Sequence, residues 1–293
     1  MSHMAMRLGA AVNSFLDPLG IRLTRARVPT DPNLYGLNLY PEKHRPAAPL
    51  YLNLGAGGFY HQYWHNLDNP SPWYAKDQEG RVNISHDLTS KDPLPIDSNT
   101  LKVAYSSHLI EHLGDEDVRR MFREVFRCLN SGGFFRVTCP DNDLAYDAYR
   151  RGDLAFWHWD SIYGNSSIEQ RLLERFASEL TWNHPDPRCK KYSDSEIRAI
   201  LNELPAAEAF DFFTKQIPPE VQRDHPGNHM NWFNVGKVTR MLAEAGFTEI
   251  WESRYRQSRC AQIRGSQLFD RTDPELSLYV ECQKGVLSGR NID

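Results

Sequence analysis

Eight residues, Tyr51-Leu-Asn-Leu-Gly-Ala-Gly-Gly58, run from an apolar stretch into three glycines where a strand must turn sharply. Missing or minimal side chains at Gly55, Ala56 and Gly57 let the backbone pass close beneath a ligand. Asp68 ends a second strand-like run, Tyr63 to Leu67, and Asp87 follows a third, Arg81 to His86. A fourth run, Leu101 to Tyr105, opens into Ser106, Ser107 and His108. Two carboxylates at strand ends beside a glycine turn suit a nucleoside: Asp68 to accept ribose hydroxyls, Asp87 to accept an adenine amine, with Leu88 against the flat face of the base. The loop is Gly-x-Gly-Gly, not the full dinucleotide fingerprint, which disfavours a nicotinamide cofactor.

Histidine is the natural proton acceptor at neutral pH, and His108 stands at the mouth of the fourth strand. His225 and His229 are the alternative bases. Glu111 and His112, on the turn after His108, read as structural groups. A metal ion is not expected. Pro226 and Gly227 preclude a helical i,i+4 pair between His225 and His229, and Asp141 and Asp143 read as a solvated turn.

These residues need a sheet to hold them. Strands and helices alternate from residue 50 as a parallel sheet with crossover helices requires. Asp115 is expected to cap a helix whose apolar residues Val118, Met121, Phe122, Val125, Phe126 and Leu129 share a face. That helix should stop at Asn130-Ser131-Gly132-Gly133, ahead of a buried strand Phe134 to Cys139. A helix from Val235 to Ala245, a strand near Glu249 to Tyr255 and a last strand Leu276 to Cys282 complete the pattern. The stretch between, rich in Trp, Tyr and His, is long enough for a lid with its own helices. Its aromatics suit a lid core or a stacking platform equally. Four segments follow: an N-terminal helix (Leu8 to Leu23) and linker over 1–49, a ligand-binding half over 50–141, an aromatic-rich inserted cap over 142–231, and a closing half over 232–293.

The runs Leu52 to Gly58, Asn66-Leu-Asp68, His86-Asp-Leu88, Tyr105 to His112 and Leu129 to Phe134 together resemble a class I S-adenosylmethionine-dependent methyltransferase, and are similar to the small-molecule branch often called type 11. The likeness covers residues 50–141 well and 232–284 more loosely, through Glu244-Ala-Gly-Phe247 and Ser277-Leu-Tyr-Val-Glu281. It implies an α/β fold, a Rossmann-like seven-stranded sheet with an antiparallel last strand and an inserted cap. S-adenosylmethionine would be the donor and S-adenosylhomocysteine the product. Gly55 to Gly57 would meet the methionine part, Asp68 the ribose, Asp87 and Leu88 the adenine, and Ser106 and Ser107 the sulfonium end. Asn53 and Lys102 depart from positions where that family often carries acids; Asn53 can still orient the loop through hydrogen bonds. The implied activity is methyl transfer to a small molecule, first O-methylation of a sugar, glycan precursor or secondary metabolite, with N-methylation of a small amine or a catalytically silent donor-binding scaffold as alternatives.

Composition narrows the partners. The 293 residues are 40% hydrophobic and 12% aromatic, enough to bury a full core. Against 34 Lys and Arg stand 38 Asp and Glu, so no strongly basic surface for nucleic acid is expected. Five cysteines without C-x-x-C spacing argue against a disulfide framework and for a reducing, cytoplasmic setting. No apolar run is long enough for stable membrane insertion. A homodimer is compatible with the sequence.

Overall fold

In the computed structural model, Tyr51–Leu54 (β1) is buried along its whole length, as a central strand covered on both faces must be. The structure describes residues 39–40, 47–69, 78, 80–159, 164–264 and 268–285. The expected N-terminal helix, Leu8 to Leu23, lies outside them. Residues 39–293 form one compact unit.

β1 pairs in parallel with His65–Asp68 (β2) and Leu101–Ser107 (β4). Ile84–Ser85 (β3) extends β2, and Leu129–Pro140 (β5) extends β4, both in parallel. Ser277–Gln283 (β7) enters antiparallel between β5 and Glu249–Glu252 (β6). The order is β3-β2-β1-β4-β5-β7-β6, so the expected seven-stranded sheet with an antiparallel last strand forms. The chain reverses its direction of growth between β1 and β4. In open sheets of this kind the crevice outside the carboxyl ends of the strands at that point receives ligands. The glycine turn follows β1, and Ser107-His108 closes β4, so both reach this crevice.

Alternation along the strands sends side chains to two cores. Leu52, Leu54, Ala104, Phe135 and Val137 pack against Val118, Met121, Phe122 and Val125 of Asp115–Cys128 (α1). Beyond the cap, Val235–Glu244 (α7) adds Val238, Met241 and Leu242 to the same cluster. Tyr51, Val103, Tyr105 and Phe134 point the other way, onto Trp64 and Phe269.

Two local expectations shift. Gly114 occupies the cap position of α1, and Asp115 is its first helical residue. The Asp115 carboxylate instead meets Lys237 Nζ at 2.8 Å and Asn231 Nδ2 at 2.8 Å, while still favouring the positive helix end. Asn130 to Gly133 do not form a loop after the helix. Leu129 already pairs with Leu101, and residues 130–133 are accommodated by a register shift before Phe134 pairs with Val103. Lys284 Nζ accounts for the abrupt helix end, donating to Phe126 O at 2.8 Å and Leu129 O at 2.7 Å.

Between β5 and α7 the chain forms the helices Asn142–Arg151 (α2), Ile168–Leu173 (α3), Asp194–Glu203 (α4), Ala206–Thr214 (α5) and Pro219–Asp224 (α6). Ser167 and Ser193 close capping boxes with Gln170 and Glu196. Trp157, Phe176, Phe210, Phe213 and Trp232 are buried in a common apolar cluster. These cap aromatics therefore serve as core. All five cysteines are buried and free. Among the described residues no helix is long and apolar enough to cross a membrane.

Candidate active site

The crevice is a cavity of about 1070 Å³, lined on one side by Asn53, the glycine turn, Asp68, Asp87 and Leu88, and on the other by Glu111, His112, Arg175, Arg223, His229 and Arg271. A single drug-sized ligand occupies pockets of roughly 300–1,000 Å³, so this one has room for a nucleoside and a second small molecule.

The glycine turn is built for close approach. Gly55 and Gly57 adopt φ of +64° and +49°, in the left-handed region that side chains resist. A Cβ on Gly55 would stand 2.6 Å from Leu109 Cδ1, whereas at Gly57 nothing lies within 4 Å. Gly55 is thus favoured by its positive φ, and a side chain there would displace Leu109, whereas Gly57 faces open space. Asp68, half-buried at the end of β2, ties the turn down. Its Oδ2 accepts from Gly57 N–H at 2.8 Å and its Oδ1 from Asn69 N–H at 2.8 Å. Asp87 lines the cavity while its Oδ1 accepts from both Thr89 N–H and Thr89 Oγ1–H at 2.8 Å, a side-chain turn that fixes the carboxylate. Asn53 is buried at the base of the cavity, and Ser107 lines it. Ser106 is fully buried and does not. Successive residues on a strand face opposite sides, so one of the two serines had to turn away.

His108 carries φ of +50°, an uncommon conformation for a residue with a side chain and one that clusters at functional sites. Its Nδ1 lies 3.1 Å from Glu111 Oε1, and its Nε2 lies 2.8 Å from Ser277 Oγ. The Ser277 hydroxyl itself donates to Asp273 O at 2.7 Å. Both nitrogens of the His108 ring therefore face oxygens of the protein. His225 is held outside the cavity, its Nε2 2.8 Å from Asp186 Oδ2 and its ring against His184. His229 enters the cavity, where its ring meets that of His112 edge-on at 4.9 Å. The His225-Pro-Gly-Asn-His229 segment thus splits, one histidine leaving and one joining.

Glu111 and His112 belong to the cavity, a role sequence reasoning missed. Their spacing from His108 was the available indication, since residues three and four apart share a face of a helical turn, here Ile110–His112. Burial raises the Glu111 carboxyl, but His108, and behind it His112 and His229, outweigh burial and hold it down at about 2. Burial also lowers His229 to about 3. Asp141 is not part of this group. It caps α2, accepting from Asp143 N–H and Leu144 N–H.

The far wall was also not foreseen. Arg175 sits in a π-helical turn, Glu174–Ser178, an irregularity frequent at functional sites, and pairs with Asp273. Arg223 and Arg271 are exposed at the mouth, and neither pairs with a carboxylate among the described residues. The segment carrying Arg271, Thr272 and Asp273 is moored by Asp270. Arg136 Nη2 donates to Asp270 Oδ2 at 2.6 Å, Asp270 N–H donates to Tyr105 Oη at 2.7 Å, and Arg136 Nη1 donates to Glu281 Oε1 at 2.7 Å, all in the buried core.

The strand order defines an open, doubly wound α/β sheet whose crevice lies at the β1/β4 switch point, the place where such sheets receive ligands. The family described as "Methyltransferase domain" matches residues 59–137, from just after the glycine turn through β5. Over those residues the chain is similar to that family, and the seven-stranded order with an antiparallel last strand is a Rossmann-like sheet of the kind the resemblance implies. S-adenosylmethionine is the methyl donor such enzymes use. Remote likenesses extend over most of the chain. A methyltransferase from Mesorhizobium loti is 17% identical over 86% of this chain and 96% of its own, with a TM-score of 0.40. One from Methanosarcina mazei is 12% identical over 84% and 98%, at 0.39. Human N-acetylserotonin methyltransferase, solved with S-adenosylmethionine, is 12% identical over 81% of this chain and 48% of its own, at 0.37. No curated protein sequence matches.

Proposed function

We propose that the chain methylates an oxygen of a small, anionic acceptor such as an acidic or phosphorylated sugar, glycan precursor or secondary metabolite. The observation that carries this reading is the division of one cavity between a nucleoside-shaped wall and a wall of arginines and histidines. Gly57 leaves open space at the turn, and strand-end carboxylates flank it, so the residues present fit S-adenosylmethionine. Gly55 to Gly57 would carry the methionine part and Asp68 the ribose. The oxygen of Asp87 not used by Thr89 would accept from the adenine amine, over Leu88. Ser107 and the base of β4 would lie at the sulfonium end.

The bound donor supplies a methyl group already activated as an electrophile. What remains for the protein is to align the acceptor in line, keep water out and take up a proton. The cap over 142–231 would select the acceptor. Arg223 and Arg271 at the mouth favour an anionic group and repel a cationic amine, which sets O-methylation above N-methylation. The acceptor's proton would leave toward His112, which lines the cavity beside Glu111 and His229, with His108 as a positioning residue that holds Glu111.

A screen of acidic, neutral and cationic acceptors with isotopically labelled donor tests the reading. Label should pass to anionic hydroxyl acceptors, and Arg223→Ala or Arg271→Ala should raise KM for them with kcat little changed. Preferential labelling of cationic amines, or no donor binding at all, would overturn it.

A further inference from the structure

Three side chains in the cavity have a relation to one another that methyl transfer alone does not require. Glu111, His112 and His229 each offer one ligand atom, all within 4.8 Å of one another. His112 Nδ1 lies 2.9 Å from Asn228 O, and His229 Nδ1 lies 2.9 Å from Arg175 O. A backbone carbonyl can only accept, so each ring donates from Nδ1 and keeps the lone pair on Nε2. That is the arrangement in which metal-ligating histidines are held, with the second nitrogen fixed by a carbonyl. Glu111 is 1% exposed; its Oε1 has His108 at 3.1 Å, and its Oε2 has no hydrogen-bond partner. An ionised carboxylate oxygen buried without a donor is costly unless a cation completes it.

We infer that Glu111, His112 and His229 form a binding site for a divalent first-row transition metal ion in the wall of this cavity. Imidazole donors select such ions over magnesium or calcium, which prefer all-oxygen shells. Ligands at about 2.1 Å from one ion stand roughly 3 to 3.5 Å apart, so binding would draw the three atoms, now within 4.8 Å of one another, together by up to roughly 1–2 Å. The frame is already rigid on both sides. Met230 N–H and Asn231 N–H donate to Glu111 O at 2.8 and 3.1 Å, locking the segment after His229 to the turn that carries the other two ligands. Glu179, itself buried, accepts from Asn228 Nδ2 at 2.6 Å and His229 N–H at 3.1 Å. Three protein ligands leave coordination positions open toward the cavity, as catalytic metal sites do. The site is distinct from the His225 and His229 spacing, whose first histidine points elsewhere.

The existence of the site does not depend on the proposed methyl transfer; its use does. An ion there would draw charge from an acceptor oxygen and let the hydroxyl ionise nearer neutral pH.

The test is a titration of chelator-treated full-length protein with Co²⁺ alone, followed by visible absorption and by calorimetry. One equivalent per chain is expected, with weak d–d bands and no intense thiolate charge-transfer band. His229→Asn and Glu111→Gln should each weaken Co²⁺ binding at least tenfold, while His225→Asn leaves it unchanged. Because the wild-type stoichiometry and spectrum stand whether or not the variants fold, absence of a stoichiometric site or a thiolate spectrum overturns the inference. So does loss of binding in His225→Asn with retention in His229→Asn. Metal-free protein that binds no Co²⁺ but transfers methyl groups removes the metal and leaves the proposed function standing. Stoichiometric Co²⁺ binding without donor binding does the reverse.

Discussion

Asp68→Ala removes two things at once, and the structure sets the size of each. The Oδ2 bond to Gly57 N–H at 2.8 Å fixes the turn, and the Oδ1 bond to Asn69 N–H at 2.8 Å fixes the carboxylate. Asp68 is half-buried, so the lost ties cost the fold little, because water can reach the released N–H groups. The donor has no such substitute. Hydrogen bonds from ribose hydroxyls to an ionised acceptor contribute about 1.5–3 kcal/mol, and the loosened turn adds an ordering cost on binding. We expect S-adenosylmethionine affinity to fall by about 1–3 kcal/mol, roughly 5- to 150-fold, with the melting temperature nearly preserved. Asp68→Asn keeps one oxygen for Gly57 N–H and should fall between wild type and Asp68→Ala. Calorimetric titration with S-adenosylhomocysteine, which cannot turn over, measures all three proteins. A folded Asp68→Ala variant binding within twofold of wild type would refute the ribose assignment and reduce Asp68 to a turn anchor.

Gly57→Val should abolish detectable donor binding, since its branched side chain fills the open space at the turn and its φ of +49° costs a β-branched residue about 1–2 kcal/mol; normal turnover would show the turn to be misassigned. Arg136→Met should destabilise the protein by about 3–5 kcal/mol, because it leaves the buried Asp270 and Glu281 carboxylates without their cation. Urea unfolding showing a loss under about 1 kcal/mol would contradict that. Burial lowers His61 from 6.5 to about 4. Its contribution to stability is therefore complete above about pH 6.5 and is lost as pH falls toward 4, because the unfolded chain takes the proton first, for a total of up to about 3 kcal/mol. The stability gap between wild type and His61→Gln should shift in favour of the variant over that window, and parallel pH curves would disprove the assignment.

What the chain determines by itself is local. The apolar run into Gly55 to Gly58, the strand-end positions of Asp68 and Asp87, and the helical period of α1 and α7 are written in neighbouring residues, because strand alternation, turn chemistry and helical faces all act over a few positions. From these the sheet, its switch point and one wall of the cavity were legible. Strand ends were less so: β3 is two residues long where Arg81 to His86 was expected, since pairing with an edge is decided by the partner strand. The other wall could not be read. Whether a tryptophan in 142–231 stacks on a ligand or fills a core depends on which helix it meets, and Trp157 fills the apolar cluster it shares with Phe176 and Phe210. Arg271 is held beside Arg223 at the mouth because Arg136, two strands from β1 in the sheet, moors the neighbouring Asp270. His229 joins Glu111 and His112 because the backbone of Met230 bonds to Glu111 O, a contact between segments far apart in sequence that no spacing rule records. Tertiary packing alone decided which of the two histidines in that segment would face the cavity.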